Sequence, residues 1–381
     1  MGTEPKICRA KSVQSDPREA VQEFFAGVSQ ADMGLVIFFC SSHYDLDVVA
    51  EEFNRLFPGI QLVGCTTAGE IGAGGYSNHS LVGASFNRAA ATAISCRMEP
   101  LQNFDMSSGH DAAAALWGRL RNEAASASSR NTFALLLIDG LSVREEQVVR
   151  AVQSGLGGMS LIGGSAGDDL KFERTWVYHE AAFHSDAAVL LLVHTPLPFL
   201  AFKTQHFASE EDRLVVTEAD VTHRVVKEIN GLPAAEEYAR VVGLDVEMLN
   251  SDHFASSPVV VVMDGTDYVR SIQRANPDGT LTFYCAIDEG LVLRVARGKD
   301  LLGNLEQALE NVRKDVGSPQ LILGCDCILR NLEITQTGLK ETVGKLLDDN
   351  NTVGFSTYGE QYGGVHVNQT FTAIAIGAHH G

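Results

Sequence analysis

The chain has 381 residues with a formal net charge of −19 at pH 7, and 45% of its residues are hydrophobic. A chain this acidic, without a basic patch, is a poor candidate for binding nucleic acid. The N-terminal residues lack an apolar signal segment, and His194, Pro196 and Pro198 interrupt the most apolar stretch well short of a membrane span. We therefore expect a cytoplasmic protein of two domains with no membrane association.

The seven cysteines argue against a disulfide framework, because their number is odd and the chain shows no export signal. Cys325 and Cys327 lie two residues apart, so a strand would place both thiols on one face. Two thiols could begin a zinc or redox site, but no second metal-binding motif adjoins them. We favour a structural role, with a reactive thiol as the alternative.

The first predicted elements are a helix, a strand and a second helix. Asp16 is a candidate N-cap, and Pro17 suits the first helical position after it. Residues 35–40 then predict a buried strand. The next helix is indicated by apolar residues at helical spacing, namely Leu46, Val49, Phe53 and Leu56.

A glycine-rich turn follows at residues 64–81, GCTTAGEIGAGGYSNHSL, and leads into a strand-like segment. It lacks both the Lys-Ser/Thr of a P-loop and a GxGxxG that opens a helix, so it does not indicate a phosphate site. The pattern returns at residues 354–371, at an offset of 354 − 64 = 290 residues, with Glu360 at the position of Glu70. Such self-similarity predicts an internal repeat.

A fainter copy lies at residues 162–193, where Gly167-Asp168 takes the place of Gly-Glu. Each of the three turns follows an apolar strand and a helical pattern. The sequence therefore predicts an α/β fold with mixed sheets packed by helices, built from repeated strand–helix–strand–hairpin units. We expect Glu70 and Glu360 to brace their turns by accepting hydrogen bonds.

The middle of the chain predicts further strands. Residues 200–217 are interpreted as two strands joined by a charged turn at 209–212, and NPDGT at 276–280 as a hairpin turn. Asn230-Gly231 marks a turn between a strand and a helix. We place the domain boundary there, which gives three ranges: 1–29, an N-terminal segment with one helix; 30–230, the first domain; and 231–381, the second.

Four segments together resemble the FIST sensory domain with its N- and C-terminal halves: VGCTTAGEIG, IGGSAGDD, VVKEINGLPAAEEYARVVG and the closing GFSTYGEQYGG. The resemblance spans residues 30–377 and implies a two-domain FIST fold. It also implies an intracellular signal-input module without a catalytic apparatus of its own. FKTQHF, LVVTEAD and the WVYH…FHSDAAVL segment further resemble the NosP-type branch, which comprises haem-binding nitric oxide sensors.

This branch implies haem b, nitric oxide as its ligand, and a partner sensor histidine kinase or related cyclic-di-GMP signalling protein. A haem held without covalent attachment needs an axial ligand, usually His, and an apolar pocket. His206 is the first candidate, because an alternating strand would place it on one face with Phe202, beside Phe207. The competing interpretation is a buried His that hydrogen-bonds across the sheet.

Three other histidines are alternative iron ligands. His184, which follows Phe183, is the second candidate. His179 lies beside Trp176 and Tyr178, aromatic residues that could line a porphyrin. His366, in the third hairpin, is the third candidate. We expect nitric oxide to weaken the iron–His206 bond, which would shift the two halves and change the contact with the kinase. A homo-oligomer is compatible with this scheme.

Two other classes of function compete. A haem-free FIST sensor would hold a small metabolite, such as an amino acid, between its two domains. An enzyme would use Cys65 or Cys325 as a nucleophile with a His as base. No His lies near either thiol in the sequence and no triad signature occurs, so we expect no enzymatic activity.

Overall fold

The computed structural model describes residues 4–263 and 265–378. Within these residues the chain forms four β-sheets and nine α-helices. The predicted α/β class with mixed sheets packed by helices is confirmed. Three of the sheets have six strands each and the same arrangement, so the repeat that the glycine-rich turns predict is also confirmed.

The first repeat runs as strand, helix, strand, helix, strand, hairpin and strand. Its elements are β1 (Ile7–Ser12), α1 (Pro17–Val28), β2 (Met33–Ser41), α2 (Leu46–Leu56), β3 (Gln61–Thr67), β4 (Glu70–Gly72), β5 (Gly75–Ser77) and β6 (Leu81–Asn87). Asp16 caps α1 as expected, by accepting the N–H groups of Arg18 and Glu19, and Asp45 caps α2 in the same way.

The second repeat follows the same order, with a longer loop before its hairpin. Its elements are β7 (Thr92–Met98), α3 (Met106–Glu123), β8 (Thr132–Ile138), α4 (Glu145–Leu156), β9 (Ser160–Ser165), β10 (Val177–His179), β11 (Ala182–His184) and β12 (Ala188–His194). The loop between β9 and β10 covers residues 166–176, whereas β3 and β4 are separated by only residues 68 and 69.

The third repeat opens with β13 (Phe199–Thr204) and is then interrupted by an insert with a sheet of its own. The insert contains β14 (Phe207–Asp220), β15 (Val225–Ile229), β16 (Leu232–Pro233), α5 (Ala234–Val242), α6 (Ser251–Ser256), β17 (Val259–Met263), β18 (Thr266–Arg270), β19 (Ile272–Ala275), β20 (Leu281–Phe283) and β21 (Val292–Gly298). Its strand order is β18-β17-β21-β14-β15-β20-β19, with β16 paired to β15.

The third repeat then resumes and closes the described chain. Its remaining elements are α7 (Leu301–Val316), β22 (Leu321–Cys327), α8 (Ile328–Gln336), α9 (Lys340–Asp349), β23 (Thr352–Thr357), β24 (Glu360–Tyr362), β25 (Val365–Val367) and β26 (Phe371–Ile376). The helical pattern predicted before the third glycine-rich turn corresponds to α9. The preceding α8 was not predicted.

Each repeat gives its hairpin to the sheet of another repeat. The β10–β11 hairpin of the second repeat pairs with β3 of the first, and β24–β25 of the third pairs with β9 of the second. The β4–β5 hairpin of the first pairs with β23 of the third. This cyclic exchange means that none of the three sheets is complete without a neighbouring repeat.

The three sheets enclose one core and carry their helices outside. Phe39 of the first sheet and Phe355 of the third stack with ring centroids 4.5 Å apart, and Leu135 and Ile162 of the second sheet belong to the same buried cluster. Separate clusters lie under the helices, such as that of Phe24 beneath α1. Because the central strands are buried on both faces, their sequences are continuous apolar runs.

Two local predictions have different outcomes. The charged turn at 209–212 is wrong: β14 pairs with β21 on both sides of it, with a shift of register between Ser209 and Arg213. The charged residues bulge into solvent without reversing the chain. The turn at Asn230-Gly231 is confirmed, with φ values of 55° and 76° between β15 and β16. The domain boundary placed there stays a prediction.

Among the described residues, no helix is both long enough and apolar enough to cross a membrane.

Candidate functional site

The three glycine-rich turns meet in the interior of the molecule. The N–H of Ala68 donates to the carbonyl of Ser356 at 3.0 Å, and that of Gly167 donates to the carbonyl of Thr66 at 3.0 Å. The N–H of Tyr358 completes the circle by donating to the carbonyl of Ser165 at 3.2 Å. The turns thus tie the ends of β3, β9 and β23 together.

Glu70 and Glu360 brace the hairpins that follow two of these turns. The hydroxyl and N–H of Ser80 donate to Glu70 at 2.6 and 3.1 Å, and Thr67 also hydrogen-bonds to that carboxyl. Glu360 accepts in the same way from Thr370, at 2.6 and 3.2 Å. Burial raises the pKa of Glu70 to about 7 and also raises the pKa of Glu360. The expected bracing role is confirmed.

The second repeat lacks this carboxyl. The alignment of Gly167-Asp168 with Gly-Glu is wrong, because β10 begins at Val177, which occupies the position of Glu70 and Glu360. Ala187 stands where those repeats have Ser80 and Thr370. The acid and its hydroxyl partner are therefore replaced together by apolar residues, which leaves no polar group unpaired at this position.

Asp168 instead organises the long loop of the second repeat. Its carboxylate accepts the N–H groups of Phe172, Glu173 and Arg174 at 2.7–2.9 Å, and the Tyr358 hydroxyl donates to it. Asp169, Leu170 and Phe172 in this loop have φ values of 54–64°. Non-glycine residues in this region cost about 1 kcal/mol or more each, and such strain is concentrated at ligand sites and switches.

A small cavity lies beside this loop, where the second and third repeats meet the insert. Its volume is about 140 Å³. The repeats contribute Gly140, Phe172 and Tyr358, and the insert contributes Arg224, Gln273 and Tyr284, among others. We call it the interface cavity. None of these six residues was predicted as a site residue, since they come from separate segments without a common motif.

His206, the leading predicted iron ligand, is buried, but it lies between β13 and β14 and not within the strand that carries Phe202, so the predicted alternation does not extend to it. Its Nε2 atom lies 2.8 Å from the Oε1 atom of Glu333, and its ring lies 4.2 Å from that of Phe207. Phe202 packs in the core with its ring 5.9 Å from that of Phe371. The Nε2 of His206 is already paired with Glu333, and His206 does not line the cavities formed by the described residues around it, so this geometry does not favour a haem ligand here.

His366 is also enclosed by protein. Burial lowers its pKa to about 4, so that it is neutral at pH 7. Its Nε2 atom has no hydrogen-bond partner among the described residues, but it faces Gly359, where an added Cβ would lie only 2.6 Å away. A haem does not fit at this position.

The β10–β11 hairpin carries the other predicted residues. The Tyr178 hydroxyl donates to the Oδ1 of Asn54 at 3.1 Å, and its ring packs edge-on against Phe183 with centroids 5.0 Å apart. His184 lies on the neighbouring strand with its Nε2 2.8 Å from the Nη1 of Arg97. Tyr178 and His179 thus lie on β10, whereas His184 lies on β11, where its Nε2 contacts Arg97.

His179 borders a larger opening, which we call the edge cavity. Its volume is about 480 Å³, and it is lined by Phe53, Phe57, Arg119 and Tyr178 among others. A volume of about 300–1,000 Å³ is usual for cofactor and small-molecule sites. Phe57 and Arg119 were not predicted as site residues, because the cavity forms between α2, α3 and the exchanged hairpin.

The His179 ring is held through one nitrogen only. Its Nε2 lies 2.7 Å from the Oγ of Ser95, while its buried Nδ1 has no hydrogen-bond partner among the described residues. The nearest charged group to Nδ1 is the carboxylate of Glu180, at 3.8 Å. Burial lowers the pKa of His179, which favours the neutral ring.

The thiols considered as nucleophiles are buried. Cys65 and Cys325 are 0% and 1% exposed, and burial raises the pKa of each well above its ordinary value. A reactive thiol needs a lowered pKa and access to its substrate. Among the described residues, no group of three or more His, Cys, Asp and Glu side chains is arranged to hold a metal ion. A single His can hold haem iron, so the absence of such a group from the described residues does not bear on haem.

Two family models match consecutive parts of the chain. The model described as the FIST N domain matches residues 34–232, and the model described as the FIST C domain matches residues 234–363. The chain belongs to the FIST family. Membership confirms the resemblance to FIST proteins and gives this FIST protein a sensory, signalling role. The NosP-type branch, haem and nitric oxide stay predictions.

Two solved structures are similar to this FIST protein along nearly its whole length. The cyanuric acid hydrolase of A. caulinodans shares 9% identity with a TM-score of 0.38, over 99% of this chain and 100% of that one. A second cyanuric acid hydrolase shares 11% identity with a TM-score of 0.36, over 98% of this chain and 100% of that one. At such TM-scores neither likeness bears on function. No curated protein matches the chain.

Proposed function

We propose that this FIST protein is a haem-based sensor of nitric oxide that regulates a partner signalling protein, such as a histidine kinase or a cyclic-di-GMP enzyme. The proposal places haem b in the edge cavity. One observation carries the choice of site: the neutral, buried His179 has a nitrogen without a hydrogen bond and borders a cavity of cofactor size. No other predicted iron ligand combines these features.

The lining of the edge cavity could contact the iron, the porphyrin ring and a propionate of a haem. His179 would supply the axial nitrogen, and its other nitrogen is already oriented by Ser95. Phe57 and Tyr178 offer aromatic walls, and Arg119 offers a cation for a propionate. When bound, haem would supply reversible binding of nitric oxide at its iron. His206 and Glu333 keep a structural role in this proposal.

The position of His179 suggests how a signal leaves the site. The hairpin that bears it pairs with β3 through only two residue pairs, Val177 with Cys65 and Tyr178 with Gly64. The same hairpin continues directly from the strained loop at residues 166–176. A displacement of His179 would therefore move a loop that contacts the insert. The signal is a shift between two arrangements, which requires that the ligand favour one of them.

The test is an absorption spectrum of protein made with ample haem, reduced, and then exposed to nitric oxide. We expect a Soret band in proportion to protein, which moves on addition of nitric oxide. His179→Ala should lose the band, whereas His206→Ala and the exposed control His110→Ala should keep it. A protein that takes up no haem would overturn the haem proposal. An unchanged band in His179→Ala would overturn the site.

A second candidate function is a haem-free sensor that binds a small metabolite between the repeats and the insert. The interface cavity favours it, because residues of both FIST halves line it. Thermal unfolding of the colourless protein with a panel of amino acids tests this candidate. We expect one of them to raise the melting temperature in a concentration-dependent way.

A further inference from the structure

The interface cavity has the size of a single ring. An engineered cavity of about 150 Å³ in another protein holds benzene, and the interface cavity measures about 140 Å³. A free amino acid with a long side chain, or a fused two-ring system, would need more space. The volume alone therefore favours a small, compact ligand.

The walls of the cavity favour a planar ligand. The rings of Phe172 and Tyr358 are stacked with centroids 4.7 Å apart and an interplanar angle of 22°. Tyr284, from the insert, lies 6.3 Å from Phe172. Phe172 is 37% exposed, so part of its side chain is accessible to a ligand. Flat aromatic faces from both sides of the interface suit a flat molecule.

The loop that carries Phe172 is fixed before any ligand arrives. Asp168 accepts three consecutive N–H groups of this loop, and the Leu170 N–H donates to the Tyr358 hydroxyl at 2.9 Å. Val143, which also lines the cavity, has a φ of 58°, an outlier for a β-branched residue. Two segments of the lining are thus held in strained conformations, as ligand clamps often are.

The charges beside the cavity are balanced internally. The Nη2 of Arg224 donates to Glu145 and Glu146 at 2.6 and 2.7 Å, and its Nη1 donates to the carbonyl of Tyr284 at 2.5 Å. Both carboxyl groups are therefore ion-pair partners of the one guanidinium. Arg224 is thus already paired within the protein and is not a free cation for an anionic ligand.

At least one polar side chain of the lining is free to bind a ligand. The side-chain amide of Gln273 lines the cavity and forms no hydrogen bond with the described residues. An amide presents a donor and an acceptor side by side. Its complement is a ligand edge that carries an acceptor and a donor next to each other.

We propose that the interface cavity binds an uncharged molecule with one planar ring and adjacent hydrogen-bonding groups on one edge, stacked on Phe172 and read by Gln273. Such a ligand would join the second repeat, the third repeat and the insert, and so fix their relative positions. This inference refines the second candidate function and does not depend on haem.

Calorimetric titration and saturation-transfer NMR of the full chain test the inference, with uracil and nicotinamide as neutral one-ring probes. Benzoate serves as the charged one-ring control, and glycine and leucine as ligands without a ring. We expect a neutral ring to bind and the three controls not to bind. Phe172→Ala should weaken binding about tenfold to a hundredfold, and Gln273→Ala should weaken it severalfold. The matched control is Leu170→Ala, on the same loop but outside the cavity lining, which should leave binding unchanged.

Three results would overturn the inference: no binding of either neutral ring, equal binding by Phe172→Ala, or equal weakening by Leu170→Ala. Binding of glycine or leucine without binding of a ring would overturn the ring specificity while it preserved the second candidate function. Failure of all five probes would overturn the inference, while the amino-acid panel tests the second candidate function separately.

Discussion

The Nε2 atom of His206 lies 2.8 Å from the Oε1 atom of Glu333, and the two side chains are only 2% and 19% exposed. His206 follows β13 and Glu333 belongs to α8, while the His206 carbonyl accepts the N–H of Lys299 at the end of the insert. The pair therefore joins the third sheet, its outer helix and the point where the insert ends. This is a structural role for a residue whose sequence context resembles a haem site.

Replacement of His206 by Ala should destabilise the protein without affecting haem. The variant leaves a largely buried carboxylate without its partner, which costs about 1–3 kcal/mol. Urea unfolding should show this loss, and the Soret band should keep its position and its ratio to protein. Glu333→Gln, which keeps a hydrogen-bonding side chain, is the control and should lose less stability. A His206→Ala protein that is fully folded but colourless would contradict the structural role.

Glu70 and Ser80 should be energetically coupled. Ser80→Ala removes a donor from a fully buried carboxyl, whereas Glu70→Val with Ser80→Ala reproduces the apolar pair of the second repeat. We expect the double variant to lose about 1–3 kcal/mol less unfolding free energy than the two single variants lose in sum. Urea denaturation of the wild type, the two single variants and the double variant measures this coupling energy. Strict additivity would show that the two groups do not act as a pair.

The raised pKa of Glu70 predicts a loss of stability as pH rises. The carboxyl ionises near pH 4.5 in the unfolded chain but only near pH 7 in the folded one. Its contribution is fully present below pH 4.5 and is lost as the pH rises to about 7, a change of about 3 kcal/mol. Unfolding free energies of wild type and Glu70→Gln should therefore diverge over this window. Parallel pH profiles would contradict the assignment.

The lowered pKa of His366 predicts that stability falls as the pH falls, the opposite of the dependence expected for Glu70. The pKa of this histidine is about 6.5 when unfolded and about 4 when folded, so the unfolded chain binds its proton first on acidification. Stability is fully present above pH 6.5 and is lost as the pH falls to about 4, by about 3 kcal/mol. His366→Asn should be less sensitive to acid than wild type when unfolding is followed by circular dichroism. Equal acid sensitivity of the two proteins would exclude a neutral buried His366.

Arg224 should hold the insert against the second repeat. Its replacement by Met leaves Glu145 and Glu146 buried beside an apolar side chain, which costs about 3–5 kcal/mol. Limited proteolysis should then cut the insert, residues 207–298, faster than in wild type. Arg224→Lys keeps the charge and should be cut at an intermediate rate. Unchanged proteolysis of Arg224→Met would show that the contact does not secure the insert.

Local patterns in the sequence predicted many of the elements and the repeat. Asp16 and Pro17 marked a helix start, and the offset between Glu70 and Glu360 showed the first and third repeats directly. The second repeat was misaligned, because its long loop separates Gly167 from Val177 and because an apolar pair replaces the acid and hydroxyl. The turn at 209–212 was misplaced, since a bulge and a turn have the same polar composition.

The candidate site depended on contacts that cross the repeats. His179 was only one of several alternatives in the sequence, because nothing in its strand shows that the β10–β11 hairpin pairs with the first repeat and borders a cavity there. The interface cavity gave no sequence signal, since Phe172, Gln273 and Tyr358 lie far apart in the chain.

The sequence by itself determined the α/β class, the threefold recurrence of the glycine-rich turns and membership of a sensory family, because apolar periodicity and turn residues act over a few positions. Only the tertiary structure decided which sheet receives each hairpin, which histidines are enclosed and where cavities remain. The physical reason is that hairpin exchange and interface packing are settled by contacts between residues more than a hundred positions apart, such as Val177 with Cys65. No local pattern encodes such contacts.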